Sequence, residues 1–387
     1  MGARAVNPAG ARYPLRPWVE RAWRGEGGWG SAFLLRPLEL LYRAGSAVAR
    51  FRAARGRRPV AGLTVIAIGG LTTGGAGKTT LARWAARAAL QGGRRPAILL
   101  RGHGAEAASG APQVVPGGAP GDPVSARRFG DEAIAHRAGL PPSILVVTGK
   151  DRRRAAGLAA QHGADLAILD DGWEQGTLCW DHLWVVVDAV RPLGNGRLLP
   201  AGPLRRRPDN LSQANVIVEI DEMGGEGSAP AKSIADRPGN GPPIVRFLRR
   251  VESWHRVGAA PETTAAAPAP PRGRPVLLLS SVGAPDRLER FLRAAGFPPD
   301  EHLAFPDHAA WDMAIVEAAV AALRTQSGAA PVVMVTDKDL ARAALLPNHE
   351  VWVVRSEFEP VGDPAPLLAA FQAEPERAPV AARPPMG

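Results

Sequence analysis

Residues 64–90 read TVIAIGGLTTGGAGKTTLARWAARAAL and contain the strongest structural signal in the chain. An apolar run leads into a glycine-rich turn, which is followed by a stretch with the spacing of an amphipathic helix. Glycines at 74, 75 and 77 allow backbone N–H groups to approach a phosphate chain, because no Cβ intervenes. A helix N-terminus directed at the same point favours anions. The segment therefore predicts a phosphate-binding loop, or P-loop, between a buried strand and a helix.

The P-loop pattern predicts which residues contact a bound nucleotide. Lys78 would reach the β and γ phosphates, and the Thr79 hydroxyl would bind Mg²⁺. The general pattern has glycine where this chain has Thr72, and the alternative interpretation is an ordinary glycine turn. The full set of expected nucleotide-binding residues is Thr73, Gly74, Gly75, Ala76, Gly77, Lys78, Thr79 and Thr80.

Short apolar runs recur along the chain and alternate with stretches of helical length. The runs comprise residues 63–68, 97–100, 144–147, 165–170, 183–188 and 215–220. Runs this short and apolar are typical of parallel strands that are buried on both faces. The expected fold class is α/β, with a mostly parallel sheet of the P-loop NTPase type and helices on both faces.

Composition divides the chain into five predicted regions. These are an N-terminal amphipathic segment (1–58), a P-loop domain (59–259), a linker rich in Ala, Pro and Thr (260–275), a smaller C-terminal α/β domain (276–373) and a disordered tail (374–387). In the C-terminal domain, PVLLLSS, HLAFPD, PVVMVTD and VWVV predict strands. The Gly-, Ser- and Pro-rich stretch at 223–243 predicts a loop.

The 387 residues are 45% hydrophobic and 22% charged, which indicates a globular protein and excludes collagen-like and coiled-coil chains. A single cysteine, Cys179, excludes an internal disulfide and a cysteine-only metal site. The net charge of +10 favours nucleic acid, an anionic membrane surface or a phosphorylated substrate as partner, unless it reflects general arginine richness. Nucleic acid is disfavoured, because no zinc pattern or aromatic RNA-recognition signature accompanies the charge. The oligomeric state stays open.

Residues 31–58 predict an amphipathic helix. On a helical wheel, Leu34, Leu38, Leu41 and Val48 form an apolar stripe flanked by Phe33, Leu40 and Phe51, and Arg36, Arg43 and Arg50 lie opposite. Such a helix can lie in the headgroup layer of an anionic membrane, or it can pack on the body of the protein. No apolar run reaches the length of a transmembrane helix, and the N-terminus lacks a secretory signal. The chain is therefore predicted not to span a membrane.

A pair of carboxylates, Asp170 and Asp171, ends the predicted strand DLAILD. In a P-loop protein this position binds Mg²⁺ directly or through water. The alternative is a plain Asp-Asp-Gly turn that closes the strand.

Seven segments occur in an order that resembles the tetraacyldisaccharide 4′-kinase family. They are GGLTTGGAGKTTL (69–81), RGHG (101–104), FGDE (129–132), ILDDGWEQ (168–175), VVDAVRPLGNGRLLPAGPLR (186–205), FPDH (305–308) and TDKD (336–339). The similarity covers nearly the whole chain. It implies phosphorylation of the 4′-hydroxyl of a lipid A precursor disaccharide by Mg-ATP, at the cytoplasmic face of the bacterial inner membrane.

The resemblance also implies two catalytic residues. The family's aspartate in a GDE-type motif corresponds to Asp131, which would act on the acceptor hydroxyl. The family's histidine in an FPDH motif corresponds to His308, which would orient that carboxylate. A sugar hydroxyl that attacks a γ-phosphoryl group needs a positioned carboxylate more than a strong base.

Three positions depart from the family pattern. Glu174 and Gln175 replace the family's Gln-His after the aromatic residue, and Arg206 replaces a glutamate of the Mg-ATP site. A cation close to Mg²⁺ would weaken metal binding, unless Asp209 or Glu174 takes over the role or Arg206 points away. Two alternatives therefore remain: a catalytically impaired nucleotide-binding relative, and a P-loop GTPase-type switch for which TDKD would supply the guanine motif.

Overall fold

The computed structural model describes residues 4–5, 23, 28–75, 77–102, 110–117, 127–222, 241–257, 264–306, 311–343 and 346–372. In this part of the chain, fourteen strands form one mixed sheet with helices on its faces. The predicted α/β fold with a mostly parallel sheet is confirmed. The predicted tail at 374–387 and most of the loop at 223–243 lie outside the described residues.

The strands of the sheet are numbered along the chain. The first eight are β1 (Arg4–Ala5), β2 (Thr64–Gly70), β3 (Pro96–Leu100), β4 (Gln113–Val114), β5 (Leu145–Thr148), β6 (Leu166–Leu169), β7 (His182–Asp188) and β8 (Val216–Asp221). The other six are β9 (Ile244–Val257), β10 (Thr264–Ala267), β11 (Val276–Ser280), β12 (Glu301–Ala304), β13 (Val332–Thr336) and β14 (Val351–Val361). The order across the sheet is β1-β12-β11-β13-β14-β9-β8-β7-β2-β6-β3-β5-β4, and β10 pairs with β9.

The described helices include one long N-terminal helix and seven shorter ones. They are α1 (Gly28–Gly56), α2 (Lys78–Gln91), α3 (Asp131–Ala138), α4 (Arg152–Gln161), α5 (Pro285–Ala294), α6 (Met313–Ser327), α7 (Leu340–Ala343) and α8 (Ala365–Gln372). Short 3₁₀ turns occupy Pro208–Gln213 and Asp337–Asp339. Of the helices in the described ranges, none combines the length and the apolar character needed to cross a membrane.

Alternate residues of the central strands are buried on opposite faces of the sheet, as the strand period of two requires. On β2, Ile66 and Ile68 join the core cluster formed with α2, whereas Val65 and Ala67 join the cluster that includes α4. Both faces of the sheet are therefore covered. The P-loop follows the carboxyl end of β2, which lies between the two core clusters.

Two long antiparallel strands, β9 and β14, join the two halves of the sheet. The beginning of β9 pairs in parallel with β8, and the beginning of β14 pairs in parallel with β13. The first half of the sheet, on the β8 side of this pair, and the second half, on the β13 side, therefore have parallel strands that run in opposite directions. The loops that follow the carboxyl ends of both sets of strands line one common cavity.

Three features of this part of the sheet differ from the expectation. VWVV is only the start of β14, and β9 was not expected, because its arginines and glutamate alternate with apolar residues and lower its apolar character. Residues 264–267, within the stretch predicted to be a linker, form β10 on the edge of β9. Strands from both sides of the predicted linker belong to one sheet, and the division into two domains stays a prediction.

The last described helix packs against the first half of the chain. Leu367 and Phe371 of α8 belong to the same core cluster as Ile66 and Ile68. The ring centroid of Phe371 lies 5.9 Å from that of Trp184 on β7. Helix α8 therefore completes one face of the core beneath the P-loop.

The predicted N-terminal helix is present as α1, and one stripe of it faces the body. Leu35 is buried, the Glu39 carboxylate accepts a hydrogen bond from Leu198 N at 2.9 Å, and the Tyr42 hydroxyl donates to Arg205 O at 3.3 Å. Further along, Arg57 donates to Gln175 O at 3.0 Å. The helix is thereby attached to loops that follow the central strands.

The opposite side of α1 carries exposed apolar side chains, namely Leu38, Leu40, Leu41, Val48 and Phe51, each about half exposed or more. Arg36 and Arg43 are exposed as well, and Arg50 is half-buried. The predicted apolar stripe is thus not used for packing on the body. The side chains of Phe33 and Leu34 lie outside the described part of the helix.

Candidate active site

The P-loop connects the carboxyl end of β2 to α2 through two glycines in left-handed conformations, Gly74 with φ 111° and Gly77 with φ 87°. A Cβ on Gly77 would lie only 2.6 Å from the ring of Phe358, so this position requires glycine on steric grounds as well. Ala76 lies outside the described residues. At Gly74 and Gly77 the backbone thus has a conformation that residues with a Cβ rarely adopt.

The segment before Arg206 supports the P-loop from the side. Thr73 N donates to Pro203 O at 2.8 Å, and Arg205 N donates to Leu71 O at 2.6 Å. The Thr73 hydroxyl also donates to Pro203 O, at 3.3 Å, and Thr73 is not among the residues that line the cavity. Thr73 therefore holds the loop in place, whereas Gly74, Gly75, Gly77, Lys78, Thr79 and Thr80 line the cavity.

The two aspartates after β6 meet the first residues of α2. The Thr79 hydroxyl donates to Asp170 Oδ2 at 2.9 Å, and Lys78 Nζ lies 3.2 Å from Asp171 Oδ1. Arg205 Nη1 donates to Asp171 Oδ2 at 3.0 Å. Asp170 is buried and Asp171 is exposed to the cavity. The structure thus brings together the predicted lysine, threonine and carboxylates.

Both carboxylates are held in the ionised form. Burial alone would raise the pKa of Asp170, but the His136 and Thr79 hydrogen bonds and the charge of Lys78 lower this pKa below its ordinary value. Burial would likewise raise the pKa of Asp171, and the charges of Lys78 and Arg205 outweigh it, so this pKa is also lowered. Near neutral pH the site therefore offers two anionic oxygen donors.

This donor set suits a magnesium ion. A hydroxyl and two carboxylates are hard oxygen ligands, and Mg²⁺ in phosphate sites commonly takes one or two carboxylates and fills its other positions with phosphate and water oxygens. Within the described ranges, no cluster of three or more His, Cys, Asp and Glu side chains is arranged to hold a metal. Thr79, Asp170 and Asp171 fit an ion that is bound together with a nucleotide.

Asp131 begins α3, whose next residue, Glu132, lines the cavity. The Asp131 carboxylate does not line it and instead accepts a hydrogen bond from Arg342 Nη2 at 2.8 Å. His308 lies outside the described residues, so its expected contact with Asp131 stays a prediction. Sequence reasoning missed Arg342, because it is 211 residues away from Asp131 in the chain.

The far wall of the cavity, of about 310 Å³, comes from the second half of the chain. Arg287 donates to the P-loop carbonyl Gly75 O at 3.0 Å, and Lys338 Nζ lies 3.5 Å from Glu132 Oε1. Arg83 of α2 forms an ion pair with Asp337 at 2.5 Å, with both side chains largely buried. Lys338 and Asp337 belong to the TDKD segment, which sequence reasoning singled out without assigning it these contacts.

Arg206 does not lie at the predicted metal position. Its guanidinium forms an ion pair with Glu174, stacks 4.2 Å from the ring centroid of Trp173 and donates to Trp173 O at 3.2 Å. It is buried and is not one of the residues that line the cavity. Arg206 is therefore held outside the cavity, where Glu174 neutralises its charge. Asp209 pairs with Arg207 and does not line the cavity either.

The TDKD segment does not present a guanine-binding carboxylate. Asp339 is fully buried, and its Oδ2 accepts hydrogen bonds from Thr336 Oγ1 at 2.9 Å and from Ser281 N at 3.3 Å. A carboxylate with these partners holds two loops of the second half together and is not exposed to a base. This arrangement disfavours the GTPase-type alternative.

Comparison with known proteins gives a consistent result over most of the chain. A family model described as tetraacyldisaccharide-1-P 4′-kinase, LpxK, matches residues 31–374. A tetraacyldisaccharide 4′-kinase from Methylibium petroleiphilum is 35% identical over 368 residues, which cover 90% of this chain and 91% of that protein. One from a Bradyrhizobium species is 32% identical over 352 residues, which cover 90% of this chain and 88% of the relative.

A solved structure has a similar fold. The crystal structure of LpxK from Aquifex aeolicus in complex with ATP superposes with a TM-score of 0.65 at 22% sequence identity. The match covers 88% of this chain and 98% of the other.

Proposed function

Since this chain belongs to the tetraacyldisaccharide 4′-kinase family, as the sequence resemblance predicted, we propose that it catalyses the ATP-dependent reaction of that family. The γ-phosphoryl group of ATP is transferred to the 4′-hydroxyl of a tetraacyldisaccharide 1-phosphate, a precursor of lipid A. The observation that carries the proposal is the common cavity that contains the P-loop, Lys78, Thr79, Asp170 and Asp171.

Each side chain of this cavity has a role that its chemistry supports. The N–H groups of the P-loop and the Lys78 ammonium bind the phosphate chain. Arg205 and Lys78 keep Asp171 ionised, and the Thr79 hydroxyl holds Asp170 in place. Thr79, Asp170 and Asp171 would hold a Mg²⁺ ion, which would supply positive charge to neutralise the phosphate chain.

Asp131 acts on the acceptor in this proposal. The 4′-hydroxyl oxygen forms a bond to the γ-phosphorus while the bond to the bridging oxygen of ADP breaks, and Asp131 receives the hydroxyl proton. The pairing of Asp131 with Arg342 stabilises its anionic form before the substrate binds. His308 would orient this carboxylate.

The activity is tested with purified full-length protein, ATP, Mg²⁺ and vesicles that contain tetraacyldisaccharide 1-phosphate. We expect a product that carries a new 4′-phosphate, with ATP preferred over GTP. Binding of ATP without any phosphoryl transfer would instead support the catalytically impaired relative. That alternative has lost its main argument, because Arg206 is neutralised by Glu174 outside the cavity.

The membrane-facing part of the proposal rests on α1. One stripe of the helix holds it on the body, and Leu38, Leu40, Leu41, Val48 and Phe51 are exposed on the other side, with exposed fractions from 49% to 69%. Arginines 36, 43, 52 and 55 accompany them and would attract anionic lipid. We propose that the chain binds peripherally to the cytoplasmic face of the inner membrane through this face of α1.

Vesicle co-sedimentation tests this binding. Deletion of residues 1–58 should move the protein to the supernatant, and salt should weaken the binding of the intact chain. The sharper variant is Leu40→Ser with Leu41→Ser, which keeps the stripe that packs on the body. Val361→Ser is the matched control, because Val361 is 48% exposed in the other half of the molecule. Unchanged sedimentation of the double variant would contradict the proposal.

A further inference from the structure

His136 occupies a position that the sequence did not single out. It lies on α3, five residues after Asp131, and is completely buried. Its Nε2 atom lies 3.0 Å from Asp170 Oδ2, the oxygen that also accepts the Thr79 hydroxyl hydrogen bond. A buried imidazole thus links the helix that begins with Asp131 to a carboxylate of the magnesium site.

The hydrogen-bond partners determine which ring nitrogen carries the proton. In the part of the chain that the structure describes, Nδ1 of His136 is buried without a hydrogen-bond partner. A proton on Nδ1 would be an unsatisfied buried donor, which is costly, whereas a proton on Nε2 is satisfied by Asp170. His136 therefore donates a hydrogen bond from Nε2 to Asp170 Oδ2.

The two donors constrain the Asp170 carboxylate. His136 and Thr79 both bind Oδ2, and no described residue donates a hydrogen bond to Oδ1. With Oδ2 fixed from two directions, the carboxylate cannot rotate freely, and Oδ1 stays available for another ligand. Hydrogen bonds of this kind orient metal-binding side chains in many proteins.

We propose that His136 is a positioning residue, which orients Asp170 for the Mg²⁺ of the Mg-ATP complex and fixes α3, with Asp131 at its start, against that site. The inference rests on the metal-binding role proposed above for Asp170. The competing explanation is that His136 only fills the core between α3 and β6.

Two substitutions separate these explanations. His136→Gln keeps an N–H donor near the place of Nε2, whereas His136→Met keeps the approximate volume and removes the donor. The measured quantity is the Mg²⁺ concentration for half-maximal binding of ATP to the full-length protein, by calorimetry, together with the melting temperature. We expect His136→Met to raise this concentration about 10- to 100-fold and His136→Gln to restore it to within about threefold of the wild type.

His302→Met is the matched control for losing a buried histidine. His302 is also buried, and it is bonded to Ser280 and Glu289 in the second half of the molecule. This control should lower the melting temperature and leave the Mg²⁺ requirement unchanged. If His136→Met and His136→Gln lower the melting temperature equally and neither changes the Mg²⁺ requirement, the positioning role is wrong.

Two further measurements keep the outcome unambiguous. Should His136→Met fail to fold, the ¹⁵N NMR signals of His136 in the wild type decide: the Nε2–H tautomer supports the inference and the Nδ1–H tautomer overturns it. Asp170→Asn tests the premise separately. If Asp170→Asn leaves the Mg²⁺ requirement unchanged, the metal role of Asp170 fails; if it raises the requirement and His136→Met does not, only the role of His136 fails.

Discussion

The two walls of the cavity differ in how their contacts relate to the sequence. On the P-loop wall, Lys78 and Thr79 meet Asp170 and Asp171, which follow the neighbouring strand β6. On the facing wall, the contacts join distant parts of the chain: 254 residues separate Arg83 from Asp337, and 212 separate Gly75 from Arg287. The contacts of the first wall follow from neighbouring strands and the loop between β2 and α2, whereas those of the second wall depend on tertiary packing between distant parts of the chain.

This difference predicts two kinds of defect in variants, namely loss of phosphate contacts and loss of stability. Changes on the P-loop wall should remove phosphate contacts while the fold survives, because those side chains face the cavity. Changes to the ion pairs between the walls should reduce stability, because they leave a charge buried without its partner.

The largest effect is expected for Lys78→Ala. Removal of the ammonium group should lower kcat/KM more than 10³-fold, beyond the loss of about 10²- to 10³-fold seen when one preorganised hydrogen-bond donor is deleted. The protein should still fold, because Lys78 lines the cavity and its partner Asp171 is partly exposed and keeps Arg205 as a second partner. Steady-state kinetics measure kcat/KM and calorimetry checks folding, and exposed Lys150→Ala is the control. Normal turnover by a folded Lys78→Ala protein would refute the P-loop assignment.

A somewhat smaller kinetic effect is expected for Asp131→Asn, whose carboxylate pairs with Arg342. Turnover should fall by about 10²-fold or more while ATP affinity is nearly unchanged, because the lost group acts on the acceptor hydroxyl. The control is Asp209→Asn, outside the cavity. If Asp131 and His308 act as one unit, adding His308→Ala to Asp131→Asn should not lower turnover any further. If the fold-losses of the two single variants multiply in the double variant, the two residues have independent roles.

The third effect concerns stability. Asp337→Asn should reduce the free energy of unfolding by about 3 to 5 kcal/mol at pH 7, because Arg83 would stay buried without its carboxylate. Glu359→Gln in the exposed pair with Arg250 is the matched control and should cost at most about 1 kcal/mol. Urea unfolding measures the free energy of unfolding of both variants. Equal losses would contradict the expectation that the buried pair between the walls stabilises the fold more than the exposed pair does.

The same pair predicts a dependence on pH. Burial would raise the pKa of Asp337, but the charges of Arg83 and Arg355 lower it below the ordinary value of 3.8. A depressed folded-state pKa means that the stabilisation is complete above 3.8 and is lost as the pH falls below it. Between pH 5 and pH 3 the wild type should therefore lose more unfolding free energy than Asp337→Asn.

The smallest effect is expected for Arg206→Glu. The new carboxylate would face Glu174 in a largely buried place and should cost about 2 kcal/mol, within the usual range for single substitutions. Turnover of the folded protein should stay within about threefold, because Arg206 is outside the cavity. Adding Glu174→Arg should recover part of the loss. A variant that is more active and needs less Mg²⁺ would instead place Arg206 at the metal.

The sequence was sufficient for the features that depend on local chemistry. Short, continuous apolar runs located the central strands, and the glycines together with Lys78 and Thr79 located the loop between β2 and α2. Asp170 and Asp171 could be placed beside that loop because parallel strands bring their carboxyl ends to one edge.

The features that were missed depend on pairs of residues far apart in the chain. Nothing local in TDKD indicates that Asp337 pairs with Arg83, or that Arg342 reaches Asp131. Arg206 seemed harmful when considered alone, and only the fold places it on Trp173 and against Glu174. His136 carried no motif at all, and its burial beside Asp170 is a tertiary property.

The packing of α8 has a consequence for how the molecule is made. Leu367 and Phe371 lie in the core beside β2, so the half of the protein that contains the P-loop lacks part of its interior until α8 has left the ribosome. Strand β9 must likewise wait for its partner β14 to be synthesised, because the two paired segments are roughly one hundred residues apart in the chain. A nascent chain that ends near residue 259 would expose apolar surface for as long as the remainder is being translated. The cavity is therefore complete only after Ser356, the last of its described lining residues, has left the ribosome.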